Sequence, residues 1–178
     1  MSRPSIHLET VWEIQALRSE IAAVLSHAET FSDWWGGVFL SSELIAAGDA
    51  DGVGRIVKIR SKGLVPYDLT WSCCVVQSDL PDCWVAETQG DLCGKSTWRL
   101  CPGPWGITVH LDWTVATGNT PLAAMVPFAR PLMAFNHRWA MNCGIVGLVS
   151  ELQRRRTVEH TQDQHGPVRG RCLESTLH

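Results

Sequence analysis

The chain is expected to adopt an α+β fold, a curved antiparallel sheet of about seven strands wrapped around one long C-terminal helix, with two short helices between the first two strands. Strand patterns follow one another in a run instead of alternating with helices, which separates α+β from α/β. The last apolar segment, Pro131 to Leu152, has helical spacing. At about 100° per residue, Arg138, Asn142, Val149 and Gln153 fall on its solvent side. Met133, Asn136, Ala140, Gly144 and Gly147 fall opposite, with His137 at the edge. A core-facing stripe is ordinarily large and aliphatic. Small residues there mean that something packs very close or that space remains, and against a sheet the second option is a ligand cavity.

The elements run in order along the chain. Ile6, Leu8, Thr10, Trp12 and Ile14 alternate with polar neighbours, a strand with one buried face. Arg18 to His27 is helical, with Ser19 as a candidate cap. A second short helix, Glu29 to Trp35, stops at Gly36-Gly37. Val38 to Ala46 is an irregular strand, and Gly52 to Ser61 comes next with Lys58 and Arg60 on its wet side. In Tyr67 to Gln77, Leu69, Trp71, Cys73 and Val75 share a face. Cys83 to Gly90 and Lys95 to Cys101 form a hairpin through Gly90-Asp91-Leu92-Cys93-Gly94. Trp105 to Thr117 is the clearest strand, with Ile107, Val109, Leu111, Trp113 and Val115 on its dry face. Asn119-Thr120-Pro121 reads as a helix start. Pro127 and Pro131 interrupt the helical pattern beyond it, so a short helical lead-in precedes the main helix.

At 178 residues the chain is one domain, residues 1–156, large enough to bury a sizeable core. The polar, aperiodic segment 157–178 reads as a disordered tail. A net charge of −3 gives no footprint for nucleic acid. Arg154-Arg155-Arg156 reads as cations at a helix C-terminus, favoured by the macrodipole. The long helix is interrupted by proline and arginine, so no membrane insertion is expected. Met1-Ser2-Arg3-Pro4 leads straight into the first strand without an apolar signal core, so a cytoplasmic protein is expected. Seven cysteines without a CxxC pair read as reduced, mostly buried small hydrophobes.

The element order, together with particular residues, resembles the START-like (SRPBCC, helix-grip) superfamily and its polyketide cyclase/dehydrase-like branch. Those residues are Val11-Trp12 through Trp34-Trp35, Gly90 to Gly94 followed by Trp98, Asp112-Trp113, and Phe135-Asn136-His137 with Met141, Gly144, Gly147 and Leu148. The match covers Ile6 to Leu152. The resemblance implies a hydrophobic cavity for lipid-, sterol- or polyketide-like molecules. It implies no single reaction, since the superfamily spans carriers, sensors and cyclases.

Asn136 and His137 are the polar candidates. Asn136 either orients a ligand carbonyl or satisfies the sheet backbone, and His137 either shuttles protons or simply closes the core. No serine, cysteine or carboxylate at readable spacing completes a triad with His137. Of the nine tryptophans, most are expected in the core and Trp71, Trp98 and Trp113 at the cavity wall. With Met133, Asn136, His137, Ala140, Met141 and Gly144 they form the expected binding set. His110 and Asp112 have a spacing a metal uses but no visible third ligand, so no metal is expected and a cross-strand surface pair is. Glu87 is expected to face water and Asp91 to serve a turn. No cofactor is expected, and the partner is an apolar small molecule. Function is expected to be binding as a carrier, sensor or sequestering module. The alternatives are a cyclase or dehydratase in the same cavity, or an interaction module whose cavity is filled by tryptophan.

Overall fold

The computed structural model describes residues 5–63, 68–117 and 126–164. Seven antiparallel strands form one sheet in the order β1-β7-β6-β5-β4-β3-β2. They are β1 (Ile6–Ile14), β2 (Phe39–Ala46), β3 (Ile56–Lys62), β4 (Asp68–Asp79), β5 (Cys83–Gly90), β6 (Leu92–Gly103) and β7 (Gly106–Thr117). Between β1 and β2 lie α1 (Arg18–Leu25), a 3-10 turn (Ala28–Thr30) and α2 (Phe31–Trp34), and α3 (Val126–Gln164) comes after β7.

Alternation places the core. On β3, Val57 and Ile59 are buried while Lys58 and Arg60 are exposed. On β7, Val109, Leu111 and Val115 point inward. The edge strand β2 is mostly exposed, and its register slips between Phe39 and Ser41 and again between Leu44 and Ala46. Such bulges bend an edge strand and discourage pairing with another chain. The β5–β6 connection is tighter than its sequence implies, because Leu92 and Cys93 already belong to β6. Gly90 turns the chain at φ +119°. Asp91 then clamps the turn onto β4: its carboxylate accepts the Thr70 N–H at 2.8 Å and its own N–H donates to the Thr70 carbonyl at 3.0 Å.

Several expectations need correction. Ser19 does not cap α1; the N-cap is Leu17, whose N–H donates to the Glu20 carboxylate at 2.7 Å. Pro131 lies inside one continuous α3 rather than dividing a lead-in from a main helix. The helix also continues past Arg156 to Gln164, so residues 157–164 are helical and 165–178 lie outside the described residues. The helix start expected at Asn119-Thr120-Pro121 lies outside them too. The arginine triplet is therefore not at a helix end. Arg156 forms a two-point ion pair with Glu20 of α1 at 2.8 Å, and Arg154 and Arg155 both donate to Glu151 at 2.7 Å. The Arg156 guanidinium holds the Glu20 carboxyl down at about 2, and Arg154 does the same for Glu151. Of the described cysteines all are free, but only Cys73 is buried and Cys101 is exposed. No described helix is long and apolar enough to cross a membrane.

Candidate functional site

Two compartments lie between the concave face of the sheet and the helices. The outer one, with about 100 Å³ of free space, is walled by Leu8, Leu69 and Leu92 from the sheet and by Met133, His137 and Ala140 from α3. Lys62 and the exposed Leu132 stand at its rim, so the cavity opens to solvent. The inner compartment, with about 100 Å³ of free space, lies deeper, among Trp35, Ile59, Trp84, Trp98 and Leu111. Phe39, Trp71, Trp113 and Met141 line both compartments and form a waist between them.

The small-residue stripe of α3 divides into two parts with different surroundings. At Gly144 a Cβ would lie 2.3 Å from the Trp35 ring, and at Gly147 one would lie 2.3 Å from the Trp34 carbonyl oxygen. These two glycines exist for close packing. Trp35 is 1% exposed and donates its indole N–H to the Ala140 carbonyl at 2.9 Å, a contact that the bare Gly144 surface permits. The helical pattern puts Gly144 at the cavity wall; instead an indole fills the space beside it. The void lies one to three turns nearer the N-terminus, at Met133, Asn136, His137, Ala140 and Met141.

His137 is 8% exposed, and its Nε2 shares a hydrogen bond of 2.9 Å with Thr10 Oγ1 on β1. Burial without a charged neighbour pushes its pKa down to about 4. The ring is therefore neutral at pH 7 and lies beside Trp113, with ring centroids 5.9 Å apart. Asn136 lies over the end of β3, so close that a Cβ at Gly63 would fall 2.4 Å from its Oδ1. It stands at the outer wall, between helix and strand end.

The aromatic side chains form a continuous belt. Trp84 stacks on Trp98 at 5.7 Å, Trp98 meets Trp12, and Trp12 meets Trp35. Phe39, Trp71 and Trp113 continue it to His137. Trp12 is core alone, whereas Trp98 is core on one side and inner wall on the other. The belt lines both compartments and leaves free space in each.

Sequence reasoning missed the contributions of Phe39, Ser61, Thr88 and Ser96 to the walls. The signal was present for three of them, as small hydroxyl residues at positions whose strand neighbours face inward. Ser61 accepts the Trp71 indole N–H at 3.0 Å, which fixes that ring at the waist. Phe39 carried no signal, because the irregular register of β2 hides its inward face.

Away from the cavity, His110 and Asp112 do not act as a pair. Asp112 instead meets His7 and Glu9 of β1, with three ligand atoms within 4.8 Å of one another. The Arg99 guanidinium binds Asp112 there and supplies the positive charge. Glu87 is exposed, as its position on β5 predicts.

No protein-family profile and no curated protein sequence matches this chain. Solved structures do. The Zhui aromatase/cyclase of Streptomyces sp. R1128 superposes with a TM-score of 0.68 at 14% identity, over 85% of this chain and 96% of that one. A START superfamily protein of Mycobacterium smegmatis gives 0.64 at 14% identity, over 83% and 97%. A norcoclaurine synthase point mutant of Thalictrum flavum, in complex with a transition-state analogue, gives 0.61 at 17% identity, over 88% and 99%. With a seven-stranded antiparallel sheet closed by a long C-terminal helix, the chain has the START-like helix-grip fold, of the kind found in polyketide aromatase/cyclases.

Proposed function

We propose that this chain is a cytoplasmic binding protein for a hydrophobic or aromatic small molecule of lipid- or polyketide-like character, held between the sheet and α3, and that it acts as a carrier, sensor or sequestering module. One observation carries the reading: the apolar outer cavity runs past a waist of aromatic rings into a second apolar compartment, and neither is filled by the protein's own side chains. Surplus apolar volume costs stability, and a guest of matching shape recovers it.

A polyketide cyclase or dehydratase working in the same cavity is the second reading, and the likeness to the Zhui aromatase/cyclase supports it at the level of fold. Such chemistry needs a group that gains and loses a proton near the working pH. His137, held at about 4 by burial, is a weak base at neutral pH, so binding without turnover is the better supported of the two.

The test uses 1-anilinonaphthalene-8-sulfonate as probe. Its fluorescence is expected to rise with the wild-type protein, and Ala140→Leu, which fills the outer cavity, is expected to weaken binding at least about tenfold, or about 1.4 kcal/mol. Equal binding by the variant, or none by the folded wild type, overturns the reading.

A further inference from the structure

The inner compartment is walled by the stacked Trp84 and Trp98 rings and carries three hydroxyl side chains, whose bonding differs. Ser26 Oγ is 3.1 Å from His27 Nδ1, and Ser96 Oγ donates to the Ala86 carbonyl at 3.3 Å. Thr88, only 5% exposed, has no hydrogen-bond partner for its Oγ1 among the described residues. The Trp113 indole Nε1, buried at the waist, has none either. Leaving a buried polar group unpaired costs about 1–3 kcal/mol, and folded chains keep few such groups.

The two unpaired groups share the concave face. Thr88 on β5 pairs with Gly94 on β6, which pairs with Val115 on β7, and Trp113 is the next inward-facing residue along β7. On β6 the row of Thr88 holds a glycine and the row of Trp113 holds Ser96, whose hydroxyl is already engaged by the Ala86 carbonyl. An indole N–H only donates, and a threonine hydroxyl can donate as well, so each is satisfied by an acceptor oxygen.

We propose that the inner compartment is a distinct binding site for a planar aromatic ring system bearing an acceptor oxygen, a ketone or phenol, and that Thr88 and Trp113 are its hydrogen-bonding groups. This rests on the reading of the cavity as a ligand site, and it adds where polarity is recognised and by which atoms. The stacked indoles give flat apolar walls, and the unpaired donors reward an oxygen that a hydrocarbon lacks.

The experiment compares two probes of matched shape, 9-fluorenone and fluorene, by quenching of tryptophan fluorescence. Wild-type protein is expected to bind the ketone about tenfold more tightly, the equivalent of one recovered hydrogen bond. Thr88→Val, an isosteric change, is expected to cut that preference to within about threefold while fluorene binding holds. Without ligand the same variant is expected to melt a few degrees higher, since an unpaired hydroxyl is gone. Trp113→Phe is expected to lower the preference likewise, and Ala86→Leu, which intrudes on the inner compartment alone, to weaken both probes. If both probes bind wild type equally, or if the ketone preference survives Thr88→Val and Trp113→Phe, this proposal fails and the outer cavity reading stands. If neither probe binds and 1-anilinonaphthalene-8-sulfonate does not bind either, both fail.

Discussion

The two halves of α3 turn the same face inward and meet opposite surroundings. Around Gly144 and Gly147 the helix touches α2, and the missing side chains are replaced by Trp35 and by the Trp34 backbone. Around Met133 and Ala140 the helix faces the sheet across an open cavity. The difference is set by what comes to meet the helix. Near Gly144 a rigid pair of indoles, Trp34 stacked on Trp35 at 5.1 Å, is pressed against it. Near Ala140 no such pair fills the space, and the helix borders the outer cavity. A stripe of small residues therefore marks closeness at one end and emptiness at the other.

Adding bulk to each half tests that contrast most severely. Gly144→Val forces a side chain into the Trp35 ring and is expected to destabilise by about 3 kcal/mol or more, visible as a Tm drop of several degrees. Ala140→Leu, one turn away, is expected to cost under about 1 kcal/mol while abolishing most probe binding, because its new atoms enter empty space. Similar losses of stability at both positions would dissolve the distinction between packed and open halves.

The next largest effect belongs to His137, on the open half. Its pKa is about 4 in the folded protein against an ordinary 6.5, so the unfolded chain binds more protons between those values. Stability is then full above about pH 6.5, falls as pH drops from there to about 4, and levels off below, a loss of up to about 3 kcal/mol. Urea titrations across that range measure it, and His137→Phe is expected to flatten the slope. A wild-type curve level from pH 7 to 4 contradicts a buried neutral imidazole.

On the packed half the titrating groups are carboxylates, and their window is lower. Glu20 and Glu151 are depressed to about 2 from 4.5, so their contribution is present above 4.5 and lost as pH falls towards 2. Arg156→Met is expected to lower stability at pH 7 by about 0.5 kcal/mol, since the pair with Glu20 is partly exposed. The same variant narrows the acid loss below pH 4.5. No change in that acid limb would mean that Glu20 gains nothing from Arg156.

Most of the fold could be read along the chain, because half-buried strands announce themselves by alternation. Leu8-Trp12-Ile14 and Val109-Leu111-Val115 gave both the strands and their dry faces. Where alternation fails, as in the bulged β2, the inward turn of Phe39 was illegible. The ends of α3 were misjudged for a related reason. Its polar C-terminal turns lack periodicity, yet Arg156 is anchored to Glu20, a partner 136 residues away. The cavity itself was half legible. Met133, His137 and Ala140 were found from the helix, while the hydroxyls of Thr88 and Ser96 sat unread among inward-facing strand neighbours.

What the residues alone decide here is local: period-two and period-3.6 patterns, turn glycines, and which face of each element must leave water. Those are set by neighbours within a few positions, so they survive any arrangement of the rest. Whether Gly144 makes room for an indole while Ala140 borders a void depends on the curvature of the sheet and the reach of α2. Those distances are fixed only when segments more than a hundred residues apart in the chain pack together, and they are what makes one end of the helix solid and the other hollow.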